Sequence, residues 1–164
     1  MSGRIFNSVD DLRQFADENQ INLVVTSGGF DPIHVGHLRC LQASAAIAEM
    51  RGHNYRVAVI VNSDGFLQRK KSYAFMPEAE RIEIIAGIKG VDFVAPWDDG
   101  SQTVTGALSV LMPKIFTKGG DRDSAQNVPE FDLCKEINCE VIFGIGGGKI
   151  QSSSELVVAV KSAA

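Results

Sequence analysis

The segment Ser27-Gly28-Gly29-Phe30-Asp31-Pro32-Ile33-His34-Val35-Gly36-His37 gathers the residue types that phosphate chemistry uses. His34 and His37 are three apart, so at the start of a helix both imidazoles project from one face and can donate to one anion. Gly36 between them leaves room for a phosphate to approach the backbone. A helix N-terminus adds unpaired N–H groups and a partial positive charge, which suits phosphate binding without a net positive charge on the protein. Two readings compete with this one: a metal site, for which Asp31 is the only nearby third ligand, and two polar residues with no task at the surface.

Three further groups bear on the same chemistry. Lys149-Ile150-Gln151-Ser152-Ser153-Ser154-Glu155 follows the glycine-rich stretch Gly144 to Gly148 and precedes an apolar run. A serine there caps a helix, and three hydroxyls in a row offer more phosphate donors than a plain cap needs. The basic run Arg69-Lys70-Lys71 stands out in an acidic chain, where the alternative is a solvated loop. In Lys118-Gly119-Gly120-Asp121 the glycines let backbone approach a flat base or ribose, and Asp121 can accept from sugar hydroxyls; an ordinary turn is the alternative.

These groups need a scaffold, and the hydrophobic pattern supplies one. Ser8 is placed to cap a short leading helix in which Val9, Leu12, Phe15 and Ala16 recur at helical spacing. Strands are predicted over Ile21 to Thr26, Arg56 to Val61, Val91 to Ala95, Ile115-Phe116 and Val141 to Phe143. Helices are predicted between and after them, over Val35 to Met50, Pro77 to Ala86, Val104 to Leu111, Pro129 to Ile137 and Glu155 to Val160. Such alternation implies an α/β fold, a five-stranded parallel sheet with helices on both faces, and a ligand crevice beyond the carboxyl ends of the strands. The long loops, Asn62 to Met76 and Lys118 to Val128, both follow strands, on the side where function is expected.

The 164 residues, 45% of them hydrophobic, suffice for one ordinary core. The chain is therefore read as a single domain, with a leading helix in 1–20 and a Rossmann-like core over 21–164. The formal net charge of -4 argues against nucleic acid and anionic membranes as partners. Three cysteines, Cys40, Cys134 and Cys139, without a signal-peptide pattern, point to reduced thiols and a cytoplasmic protein. No apolar run approaches the roughly 20 residues that span a bilayer.

Gly29-Phe30-Asp31 followed by His34-Val35-Gly36-His37 resembles the HxGH signature of the cytidylyltransferase-like nucleotidyltransferases. Val61-Asn62-Ser63-Asp64, Arg69-Lys70-Lys71, Met76-Pro77-Glu78 with Glu80-Arg81, and Lys118-Gly119-Gly120-Asp121 are similar to segments of the family's sugar-phosphate branch. Within it, the chain most resembles the adenylyltransferase domain of the bacterial heptose 1-phosphate enzymes, with a further similarity to glycerol-3-phosphate cytidylyltransferase around Leu67 to Tyr73 and Arg81. Two departures stand out. Gly29 replaces the family's Thr or Cys, so that a hydroxyl contact to phosphate is either missing or replaced by Ser27 or Thr26, and Lys149 stands where the family has an arginine-bearing loop.

The resemblance implies transfer of a nucleoside monophosphate, AMP from ATP in the first reading, to a sugar phosphate such as a heptose 1-phosphate, with release of pyrophosphate. Cytidylyl transfer from CTP to glycerol 3-phosphate or another alcohol phosphate is the second reading, and a non-catalytic nucleotide-binding domain the third. It implies catalytic roles for His34, His37 and Lys70. Nucleotide contacts fall to Ser27, Gly28, Gly29, Phe30, Asp31, Gly36, Lys118, Gly119, Asp121, Ser152, Ser153 and Ser154. Acceptor contacts fall to Asn62, Asp64, Arg69, Lys71 and Arg81. Mg²⁺ is expected to arrive with the triphosphate rather than on protein ligands, and a homodimer is expected.

Overall fold

The computed structural model describes residues 2–119, 130–147 and 151–163. Among them, six parallel strands form one sheet: β1 (Arg4–Ile5), β2 (Asn22–Gly28), β3 (Tyr55–Asn62), β4 (Phe93–Trp97), β5 (Ile115–Gly119) and β6 (Glu140–Ile145). The sixth strand, beyond the five expected, is β1, a two-residue edge strand pairing Arg4 with Phe93 and Ile5 with Val94. Two exposed residues carry no alternation, so nothing in the pattern announces it.

The helices are α1 (Val9–Glu18), α2 (Val35–Arg51), α3 (Asp64–Lys71), α4 (Glu78–Ala86), α5 (Thr105–Leu111), α6 (Phe131–Glu136) and α7 (Ser153–Ala163). Ser8 caps α1, its hydroxyl accepting the Asp11 N–H at 3.1 Å. α3 lies inside what the sequence presents as a loop, because Gly65 and three consecutive cations leave only Phe66 and Leu67 as apolar residues. Those two are buried, and Ser63 caps the helix by accepting the Phe66 N–H at 3.0 Å. Arg69, Lys70 and Lys71 therefore occupy the last turn of a helix rather than a loop.

Val57 to Val61 of β3 are all buried, as a central strand covered on both faces requires. One apolar cluster joins the sheet to α1, α5 and α6 through Leu12, Ile60, Leu108 and Phe116; the other joins it to α2 and α4 through Leu41, Val59 and Ile85. The strand order is β1-β4-β3-β2-β5-β6. The chain builds outward from β2 to β4, then returns to place β5 on the other side of β2, so the switch point lies beyond the carboxyl ends of β2 and β5. A buried polar seam fixes this junction: Ser44 Oγ of α2 meets Thr117 Oγ1 of β5 at 2.9 Å, and Thr26 Oγ1 of β2 donates to the Thr117 carbonyl at 3.2 Å. Among the described residues no helix is long and apolar enough to cross a membrane.

Candidate active site

The chain leaves β2 through Ser27 and Gly28, and Gly29 lets α3 close over the exit: a Cβ there would stand 2.8 Å from Leu67 Cδ2. Thr26 and Ser27 both line the cavity described below, but the Thr26 hydroxyl is nearly buried and donates to the Thr117 carbonyl at 3.2 Å. Phe30 follows in the left-handed region at φ +54°, with its ring edge-on to His37 at 5.0 Å between centroids.

Asp31 and Arg81 hold the surrounding loops. The Asp31 carboxylate, 0% exposed, accepts the N–H groups of Phe75 (2.7 Å) and Met76, and lies 3.6 Å from Lys71 Nζ. Arg81, 1% exposed, donates to the carbonyls of Met76 (2.9 Å), Gly29 (2.8 Å) and Asn62 (2.6 Å) and to Asp64 Oδ1 (2.6 Å). The Arg81 and Asp64 side chains, expected at the acceptor, and the Asp31 carboxylate, expected at the nucleotide, are here engaged by protein partners, and Asp31 also lines the cavity described below. Together they tie β2, β3, α3 and α4, and the Arg81 or Asp31 charge, buried without its partners, would be costly.

His34 is the N-cap of α2, and His37 stands one turn on. Their rings stack with centroids 3.9 Å apart and 26° between planes. Nδ1 of His34 accepts the Gly36 N–H at 3.0 Å, and Nδ1 of His37 accepts the His34 N–H at 3.2 Å. A neutral imidazole carries one proton, so with both Nδ1 atoms accepting, both Nε2 atoms must be donors. Burial pushes His34 below its ordinary value of 6.5. Burial, then the charges of His34 and Lys71, push His37 down to about 4. At neutral pH the site presents two uncharged Nε2–H donors beside the N-terminus of a 17-residue helix.

Both rings line a cavity of about 380 Å³ at the switch point, in the size range of small-molecule sites. Ser27, Gly28, Gly29, Phe30, Gly36 and Asn62 share it, as do Lys70, Lys71, Lys118, Gly119 and Ser153. Lys71 Nζ donates to the Asp31 carbonyl at 3.1 Å. Arg69 is drawn away, pairing with Asp98 and donating to the Ser101 carbonyl at 3.1 Å. With Ser63 and the Gly100 N–H, it holds the Asp98 carboxyl down at about 2. The three serines divide their tasks. Ser152 accepts the Glu155 N–H at 3.4 Å as the cap, Ser154 is exposed beside the Tyr73 hydroxyl at 3.5 Å, and Ser153 reaches the cavity, donating to the Pro32 carbonyl at 2.7 Å. Asp121 and Lys149 lie outside the described residues.

The sequence gives little notice of other lining residues: Cys40, Phe66, Leu67, Gln102, Thr103, Val104, Glu130, Ile145, Gly146 and Gln151. Gly146 has a local signal, the glycine run itself. At φ +81°, with a Cβ position 2.8 Å from the Cys40 N, it lets the β6 loop rest on the first turns of α2. Glu130 and Val104 carry no local signal, because they meet only through the packing of α5 against α6.

Comparison with known proteins agrees with this geometry. A chain from Thermoplasma volcanium described as a lipopolysaccharide core biosynthesis protein superposes with a TM-score of 0.58 at 22% identity, over 80% of this chain and 98% of that one. A macrolide-efflux protein from Streptococcus pneumoniae gives 0.57 at 18% identity, over 94% of this chain and 52% of that one. At such identities the likeness is one of fold. The bifunctional protein HldE of Hahella chejuensis is 30% identical over 151 residues, 89% of this chain and 28% of that protein. HldE of Streptomyces coelicolor is 35% identical over 116 residues, 69% of this chain and 23% of that protein. The chain thus spans about a quarter of these relatives. The cytidylyltransferase-like family model matches residues 25–161. With its stacked histidines at the switch point of a parallel sheet, the chain belongs to the cytidylyltransferase-like family of nucleotidyltransferases.

Proposed function

We propose that this protein transfers AMP from ATP to a sugar phosphate of the heptose 1-phosphate kind, releasing pyrophosphate. The observation that carries the reading is the pair of Nε2–H donors at the start of α2, in one cavity with Lys70, Lys71 and Ser153. In the reaction an acceptor phosphate oxygen forms a bond to the α-phosphorus, and the bond from that phosphorus to the bridging oxygen of the β-phosphate breaks. The electron pair leaves with pyrophosphate. An acceptor phosphate is already a nucleophile at neutral pH, so the protein's work is to position groups and stabilise charge.

His34 and His37 would donate to the α-phosphoryl oxygens as charge builds there. Lys70 and Lys71, on the α3 side, would bridge the acceptor and α-phosphates, while Ser153 and the α7 terminus would face the departing pyrophosphate. Mg²⁺ would supply charge neutralisation as the metal of the triphosphate, held by phosphate oxygens. The HldE relatives and the Lys118-Gly119-Gly120-Asp121 loop favour the sugar-phosphate branch. The similarity over Leu67 to Tyr73 keeps cytidylyl transfer to an alcohol phosphate as the second reading. A homodimer belongs to the proposal, and a single-chain mass by light scattering would remove that part.

The test is pyrophosphate release from ATP, CTP, GTP and UTP, each with sugar, polyol and amino-alcohol phosphates. Turnover of ATP with a sugar 1-phosphate is expected. Turnover of CTP with an alcohol phosphate would transfer the assignment to the second reading, and nucleotide binding without turnover would overturn both.

A further inference from the structure

Asp98, the first residue after β4, holds both ends of the helix that carries Lys70 and Lys71. At the start of α3, the Ser63 hydroxyl caps the helix by accepting the Phe66 N–H at 3.0 Å and donates its own proton to Asp98 Oδ2 at 2.6 Å. At the last turn, Arg69 donates to both oxygens of the same carboxylate. The loop after Asp98 adds two bonds to that turn: the Ser101 carbonyl accepts from the Arg69 guanidinium at 3.1 Å, and the Gln102 side-chain amide donates to the Arg69 carbonyl at 3.1 Å. A helix leaves its last carbonyls without internal partners, and Gln102 answers one of them. Gly65 gives the carboxylate room, since a Cβ there would crowd Asp98 Oδ2 at 3.0 Å.

Such a clamp does little for global stability. The Arg69 and Asp98 side chains are 35% and 32% exposed, and ion pairs at that exposure contribute little to the free energy of unfolding. What it fixes is the orientation of α3, an eight-residue helix too short to hold itself and anchored by only two buried apolar side chains, Phe66 and Leu67. Gln102 and Thr103 of the clamping loop line the same cavity as Lys70 and Lys71, so loop and helix form one wall of the site. Arg69, Ser63 and the Gly100 N–H, at 3.0 Å, hold the Asp98 carboxyl down at about 2, which keeps the clamp charged at neutral pH. A small misplacement of a charged group costs far more in rate than in stability. We propose that Asp98 is a positioning residue, which through Ser63 and Arg69 sets α3 so that Lys70 and Lys71 meet the substrate phosphates. This rests on the transferase reading and deepens it, and it gives Arg69 a task other than the acceptor contact expected from sequence.

Asp98→Asn keeps the shape and an acceptor for Ser63 and removes the charge that faces Arg69. Pyrophosphate release from ATP is measured with the acceptor that the parent protein turns over. In Asp98→Asn and in Arg69→Gln kcat/KM for ATP should fall about ten-fold, no further in the double variant, with unfolding midpoints close to the parent's. Added to Lys70→Ala or to Lys71→Ala, Asp98→Asn should cost less than about two-fold in at least one of the two, because the group it positions is already gone. The full penalty persisting in both lysine backgrounds, additive losses in Arg69→Gln and Asp98→Asn, or a loss that follows the unfolding midpoint would overturn the assignment. So would an Asp98→Asn variant as active as the parent, and a raised acceptor KM in Arg69→Gln beside it would return Arg69 to the acceptor. Should the parent protein release no pyrophosphate with any pair, the transferase reading fails on its own, and calorimetric binding of ATP decides the Asp98 assignment. Weaker binding to Asp98→Asn, with no further weakening when it is added to Lys70→Ala or to Lys71→Ala, supports it; equal, cumulative or absent binding overturns it.

Discussion

A neutral imidazole donates from one of its two nitrogens, and here the backbone selects Nε2 in both rings by occupying each Nδ1. The Gly36 N–H holds His34, and the His34 N–H holds His37. The i, i+3 spacing announces that the rings share a face. It does not announce the tautomer, which depends on φ and ψ at the cap, or the burial that keeps His37 neutral. That burial has a measurable cost. As pH falls through about 6.5 the unfolded chain takes up a proton on His37, whereas the native chain does so only near 4. Between those values the unfolded state binds more protons, so native stability falls with falling pH. Between pH 7 and pH 5 the parent protein should lose roughly 2 kcal/mol more than His37→Gln, which has nothing to titrate there. Urea unfolding at the two pH values checks this, and parallel losses would contradict it.

At the scale of elements, the β2–α2 junction is held by residues distant from it in sequence. Arg81 reaches back 52 residues to Gly29, and Asp31 reaches forward to Phe75 and Met76. Arg81→Met should cost about 3–5 kcal/mol in urea unfolding, because three carbonyls and Asp64 lose their donor while the hydrophobic replacement answers none of them. A loss under 1 kcal/mol would show that water takes over. The helix and strand alternation, and the Ser8 cap, were legible because each depends on spacing within one segment. α3 was not, since its helix rests on Phe66 and Leu67 packing beneath the site and on the Ser63 cap rather than on a repeated apolar face. The roles of Arg81 and Asp31 were hidden for the same reason: a motif position shows which residue is present, and the long-range partner decides what it does.

At the scale of the molecule, the proposed function has an acidic chain hold an anionic substrate by local means: a helix terminus, neutral N–H donors and two lysines gathered at a topological switch point. The cavity runs from α2 to Val104 and Glu130 at the ends of α5 and α6, so it touches helices of both sheet faces. Residue types alone suggested the α2 end, whereas the other end forms only when the sheet order is complete. The central claim is that the stacked imidazoles stabilise the transferring phosphoryl group, and single-turnover nucleotidyl transfer by His34→Ser and His37→Ala tests it most directly. Serine keeps a capping oxygen for α2 and removes the imidazole, so a fall in rate separates chemistry from folding. The account predicts a fall of about 10²–10³-fold in each variant, with circular dichroism and unfolding midpoint close to the parent's. Folded variants that transfer nucleotide at the parent rate would contradict it.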